Sequence, residues 1–171
     1  MGEDLTLDVP DFHISIWEEL LKMVEAVNHH GVHQVLKKLF AVPREHAKST
    51  LAKIACILFL KYTKYAFCMY VSKTNGHAKN AIRDIIMWLG SPQERELHGP
   101  LMQVKGSETE SLWIYDMCIR SPGINEPEIK RVLFKAIGAE QQVRGMLILN
   151  RRPEIIVIDD GSQDDTWNVL K

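Results

Sequence analysis

At 171 residues the chain has the length of one domain, and its 46% hydrophobic content is enough to build a core. Lys and Arg number 21 against 22 Asp and Glu, so no global basic field marks a nucleic-acid binder and any such surface must be a local patch. The start Met1-Gly2-Glu3-Asp4 is unlike a signal peptide, and the longest apolar stretch, residues 54–60, is far too short to span a bilayer; the chain reads as soluble and cytosolic.

Residues 1–11 read as a loose lead-in. Ile14, Trp17, Leu20, Leu21, Val24 and Val27 recur at helical spacing and predict an amphipathic helix, which Asn28-His29-His30-Gly31 ends. Residues 35–42 are an apolar, strand-like run stopped by Pro43, and residues 49–61 predict a helix buried against a sheet. Residues 65–71 form a continuous β-prone run suited to burial on both faces, followed by a turn at 72–76 and a second amphipathic helix at 78–89 built on Ile82, Ile85, Ile86 and Leu89. Residues 112–119 and 129–137 flank a turn-rich segment and predict an antiparallel hairpin. Residues 138–145 are polar and irregular, 155–158 make the last strand, and a helix is expected to begin near Asp164 or Asp165. Strands alternating with helices imply right-handed crossovers and a three-layer α/β fold. Its sheet should be largely parallel, with 35–42, 65–71 and 155–158 running the same way, and helices on both faces.

Two stretches carry chemistry. Val42-Pro43-Arg44-Glu45-His46-Ala47-Lys48-Ser49-Thr50 lies between the strand-like run and the helix, as a phosphate-binding loop does, although both usual glycines are replaced. Lys48 can place a point charge on the β- and γ-phosphates, Ser49 can offer its hydroxyl to magnesium, and the backbone from His46 to Thr50 can supply an N–H cradle. Ala47 preserves close backbone approach, and Arg44 can reach the γ-phosphate with a guanidinium that lysine could not copy. Read from the residues alone, the same stretch is equally a helix start with a good cap residue. The second stretch, Arg152-Pro153-Glu154-Ile155-Ile156-Val157-Ile158-Asp159-Asp160, is an apolar strand ending in two carboxylates at the sheet edge where α/β ligands sit. Asp159 suits magnesium binding through water, and Asp160 suits orienting or activating the attacking water. The pair is also readable as a solvated acidic loop with Asp164 and Asp165. Taken as a site, Ser49 and Asp159 should lie close together with Lys48 in the same cleft.

Other polar clusters invite weaker readings. His29, His30 and His33 sit at a helix end with no Cys or acid partner and read as a solvated terminus rather than a zinc site. Cys56, Cys68 and Cys118 form no C-x-x-C pair and read as buried free thiols of a reducing compartment. Trp17, Trp88 and Trp113 fit core positions. Lys37, Lys38, Lys61, Lys64, Lys73 and Lys79 are scattered and read as solvated surface before a nucleic-acid patch.

Pro43-Arg44-Glu45-His46-Ala47-Lys48-Ser49-Thr50 resembles the ATP-binding loop of tailed-bacteriophage large terminase subunits, often written P-R-x-x-x-K-S-T. Val71-Ser72-Lys73-Thr74 with the Ala78-bearing helix resembles that family's second strand and helix. Residues 138–145 resemble its G-x-x-Q-x-x-R-G segment, and residues 152–160 its Walker B strand. The resemblance implies a P-loop ATPase of the additional-strand type that drives viral DNA packaging into a procapsid, with ATP and Mg2+ as cofactors. By carry-over Pro43 to Thr50 hold the nucleotide, Arg44 senses the γ-phosphate, Ser49 and Asp159 serve the metal, and Asp160 takes the catalytic carboxylate position. Phe12 or His13 would be the local candidate for contacting the base; Arg144 and Gly145 match the family phrase without an assigned role. Implied partners are double-stranded viral DNA, a portal protein and a small terminase subunit, in a ring assembly without a membrane, in the host cytoplasm. The expected organisation is a partial ATPase domain over 1–171, with lead and helix at 1–33 and core at 34–171. No nuclease domain is expected within these residues, and the isolated chain is expected to bind ATP weakly and turn it over slowly or not at all. Another P-loop DNA motor, helicase-like or conjugative, and a non-catalytic nucleotide- or partner-binding fragment remain the alternatives.

Overall fold

The computed structural model describes residues 11–30, 39–40, 48–104, 109, 111–119, 128–141 and 147–159. The chain divides into two compact units, Met1–Ala41 and Val42–Lys171. In the first, helix α1 (Asp11–His30) buries Ile16, Leu20, Val24 and Val27, a stripe at helical spacing. The apolar face is rotated from the expected one: Ile14 and Leu21 are exposed and Trp17 is half-buried. Phe12 and His13 begin this helix with their rings edge to face at 4.3 Å. Of the expected strand at 35–42 only Leu39 and Phe40 lie among the described residues. They belong to neither helix nor strand, and Leu39 is 95% exposed. Neither pairs with a described strand, and the rest of the expected strand lies outside the described residues.

The second unit carries helices α2 (Lys48–Tyr62), α3 (Asn75–Leu89) and α4 (Pro92–His98), and strands β1 (Phe67–Ser72), β2 (Leu101–Gln103), β3 (Leu112–Ile119), β4 (Glu128–Gly138) and β5 (Ile155–Asp159). The strands form one sheet in the order β2-β3-β4-β1-β5. β1 runs parallel to both β4 and β5, while β2–β3 and β3–β4 are antiparallel. The sheet is therefore evenly mixed rather than largely parallel. The expected hairpin is present as β3–β4, but β4 also continues inward to pair with β1. Every residue of β1 is buried, with Phe67, Cys68, Met69 and Tyr70 fully so, as a central strand covered on both faces requires.

Successive strand residues alternate between faces, which locates the helices. Cys68 on β1 meets Cys56 of α2, Sγ to Sγ at 3.3 Å, and Lys130 on β4 donates to the Leu60 and Thr63 carbonyls at the end of α2. α3 lies beside α2 through the Lys53–Asp84 ion pair at 2.6 Å, and α4 is tied to α2 by Lys61–Glu94 at 2.8 Å. Among the described residues of the second unit these three helices share one face of the sheet, where helices on both faces were expected. On the other face Phe67, Ile114 and Leu133 cluster with Val104 and Ile148 packed against them, and on β5 Ile156 and Ile158 remain 53% and 76% exposed.

Local chemistry explains the helix boundaries. The Thr74 hydroxyl accepts from the His77 N–H at 3.2 Å, starting α3 three residues before the expected point and absorbing part of the predicted turn. Gly90 closes that helix, and Ser91 with Pro92 opens α4, with the Ser91 hydroxyl accepting from the Glu94 N–H at 3.3 Å. Trp88 is 36% exposed because the buried stripe of α3 is Ala78, Ala81, Ile82, Ile85 and Leu89; Trp113 is buried as expected.

Lys130 is a cation at the C-terminus of α2, where the helix dipole and two carbonyls favour it. Burial nevertheless pushes its amine down to about 8, against the opposing pull of Glu154 and Glu128. Below about 8 the amine is charged in both folded and unfolded chains; above it the fold releases the proton that the unfolded chain still holds. Unfolding then takes up a proton, so this group makes stability rise with pH between about 8 and 10. Urea midpoints should rise across that window in the wild type and rise less in Lys130→Met. Equal slopes would remove the buried amine as the source.

Candidate nucleotide and metal site

The direction of α2 follows from its contacts. Cys56 sits level with Cys68, whose register partner on β5 is Ile155. Four residues later the Leu60 carbonyl meets Lys130, which lies three residues before Leu133, the register partner of the first residue of β1. Moving toward the end of α2 therefore moves toward the start of the parallel strands, and α2 runs antiparallel to them. Its first residues, Lys48 and Ser49, point to the edge where β1 ends in Ser72 and β5 ends in Asp159. From Cys56 back to Ser49 the helix climbs about 10.5 Å, and from Ile155 to Asp159 the strand climbs about 13 Å, so both finish at nearly the same height. Ser49 and Cys56 are two helical turns apart and share the sheet-facing side.

At this edge Val71, Ser72, Lys73, Ala139, Ile158 and Asp159 line a shallow cleft of about 280 Å³. It is the C-terminal edge of the parallel strands, where ligands of α/β sheets bind. Ser72 is buried and is the register partner of the half-buried Asp159. The hydroxyl of the fully buried Tyr70 donates to Asp159 Oδ2 at 2.9 Å. Burial, then the Asp159 charge, then the hydrogen bond push the Tyr70 phenol far above its ordinary value, so it stays a donor. Tyr70 shares a sheet face with Cys68, so Asp159 offers its carboxylate on the side that α2 covers. Gly138, at the end of β4, fits because a Cβ there would stand 2.8 Å from the backbone nitrogen of Asn75 at the start of α3. The Gln141 side chain accepts from the Gly138 N–H at 3.1 Å, a structural use for two residues of the G-x-x-Q stretch.

Lys48 and Ser49, at the start of α2, thus stand level with the edge that carries Asp159, but neither lines the cleft, and Thr50 is exposed on the first turn of α2. Pro43, Arg44, Glu45, His46 and Ala47, together with Arg144, Gly145 and Asp160, lie outside the described residues. A serine hydroxyl and one carboxylate are hard oxygen donors, a set that fits magnesium, which takes one or two protein ligands and fills its octahedron with water and phosphate. Among the described residues no group of three or more His, Cys, Asp or Glu could hold a metal by itself, and His29 is exposed at the end of α1. Tyr70 was not among the sequence candidates; its only signal is that a tyrosine in a strand buried on both faces needs a partner for its hydroxyl.

No helix among the described residues is long and apolar enough to cross a membrane. No protein-family model matches the chain, and no curated protein matches its sequence. Among solved structures it is similar to the large terminase ATPase domain of Thermus phage P74-26, at 12% identity and a TM-score of 0.43. That similarity covers 61% of this chain and 42% of the phage domain's chain, so the match spans less than half of that structure.

Proposed function

We propose that this chain binds ATP with Mg2+ as a P-loop ATPase module of the DNA-packaging, large-terminase kind. The observation that supports the reading is the shared edge: α2 starts, at Lys48-Ser49, level with the strand end that presents Asp159 and runs back from it. In this reading Lys48 holds the β- and γ-phosphates, the backbone of Pro43 to Thr50 cradles them, and the N-terminus of α2 adds its dipole. Ser49 and Asp159 hold Mg2+, which when bound spreads the charge of the β- and γ-phosphates. Arg44 approaches the γ-phosphate, and Asp160 takes a proton from, or orients, the attacking water. Double-stranded DNA, a portal protein and a small terminase subunit are proposed as partners in a ring assembly, on the strength of the motif resemblance.

The test is a filter assay for ATP binding run beside a single-turnover assay of phosphate release. Lys48→Ala removes a charge-assisted contact worth about 1.5–3 kcal/mol, so ATP should bind about ten- to a hundredfold more weakly. Unchanged affinity in that variant would reduce Lys48-Ser49 to an ordinary helix start.

A further inference from the structure

We propose that Tyr70 sets how Asp159 holds a divalent cation, keeping the contact to one carboxylate oxygen and so favouring magnesium over calcium. The proposal rests on the nucleotide reading above and concerns a residue that reading does not use. Tyr70 lies in the middle of β1, between β4 and β5, and is fully buried. Its hydroxyl donates to Oδ2 of Asp159 at 2.9 Å. A ring packed so tightly cannot turn its hydroxyl to water, so the phenol depends on that oxygen as its acceptor.

Cation chemistry turns this bond into a selectivity device. Calcium takes six to eight oxygens and commonly grips a carboxylate through both, whereas magnesium keeps a strict octahedron and takes one oxygen per carboxylate. A two-oxygen grip on Asp159 would have to share Oδ2 with the phenol, weakening that bond and turning the carboxylate from the orientation it fixes. A one-oxygen contact would not. The phenol also holds the carboxylate on the side of the sheet that α2 covers. Tyr70 is therefore a positioning residue that acts through Asp159.

The experiment titrates the wild type and Tyr70→Phe with Mn2+ in the presence of ATP, following free Mn2+ by electron paramagnetic resonance, then displaces it with Mg2+ or Ca2+. Losing the phenol should shift the calcium-to-magnesium preference toward calcium by about tenfold, a size set by one buried hydrogen bond. A role in packing alone would leave that ratio unchanged. In an Asp159→Asn background, adding Tyr70→Phe should move the ratio no further, because the partner carboxylate is gone. A further shift there would overturn the proposal. If Tyr70→Phe fails to fold, carbon NMR of the labelled Tyr70 ring in the wild type decides: its hydroxyl carbon should keep its hydrogen-bonded position when Mg-ATP binds, and a displaced resonance overturns the proposal. Cation binding with an unchanged preference in Tyr70→Phe overturns this inference alone. Absence of any ATP-dependent cation binding by the wild type overturns the nucleotide reading together with it.

Discussion

With Asn in place of Asp160, ATP should bind at wild-type affinity while phosphate release slows by about a hundredfold or more. Asp160 directly follows Asp159, the last residue of β5. Asn has the same shape but cannot take a proton from water, so substrate binding survives and the chemical step does not. In the proposed site Mg2+ dependence falls to the neighbouring carboxylate, so Asp159→Asn should weaken the response to Mg2+ as well. Filter binding and single-turnover phosphate release on the two variants separate these roles. Equal loss of affinity and rate in Asp160→Asn would make Asp160 a metal or phosphate contact instead of the group that handles water.

The second large effect falls on stability, at Glu154→Ala. One oxygen of Glu154 accepts from the backbone N–H groups of Ala66 and Phe67, at 2.6 and 3.0 Å, and the other accepts from Arg151 at 3.2 Å. Ala66 and Phe67 are buried, so truncating the carboxylate leaves two backbone donors without an acceptor at the entrance of the central strand. At about 1–3 kcal/mol for each stranded donor, the loss should be about 2–6 kcal/mol, a large part of a typical domain's stability. Glu154→Gln keeps an oxygen in place and should recover much of it. Urea unfolding of the three proteins followed by circular dichroism measures the series; a loss under about 1 kcal/mol would mean that water replaces the carboxylate there.

How far the fold could be read ahead depended on how each element is held. β1, β3, β4 and β5 announce themselves as runs of branched and aromatic residues, and their boundaries fell within two residues of the expected ones. α4 has no apolar stripe to detect; it forms because Ser91 caps it and Pro92 starts it. β2 is three residues long and exists through its pairing with β3. The place of β4 was hidden for a different reason. A hairpin strand can stay at an edge or enter the sheet, and here parallel pairing with β1 brings Gly138 against the start of α3, where a side chain would not fit. The candidate site divides in the same way. Lys48, Ser49 and Asp159 are recognisable because their chemistry is tied to a short local pattern. Tyr70 and Ser72 join the site only through sheet register with β5, which no local pattern encodes.

The thiols of Cys56 and Cys68 have a practical consequence. Both are fully buried and face each other across the seam between α2 and β1. An alkylating reagent can reach them only when that helix lifts from the strand, so their modification rate reports the free energy of that one opening. Cys118, buried on β3, serves as an internal reference for the hairpin side. A nucleotide seated at the start of α2 should slow labelling of Cys56 and Cys68 while leaving Cys118 at its own pace. The native chain thereby carries a gauge of ligand-dependent helix motion that needs no added label.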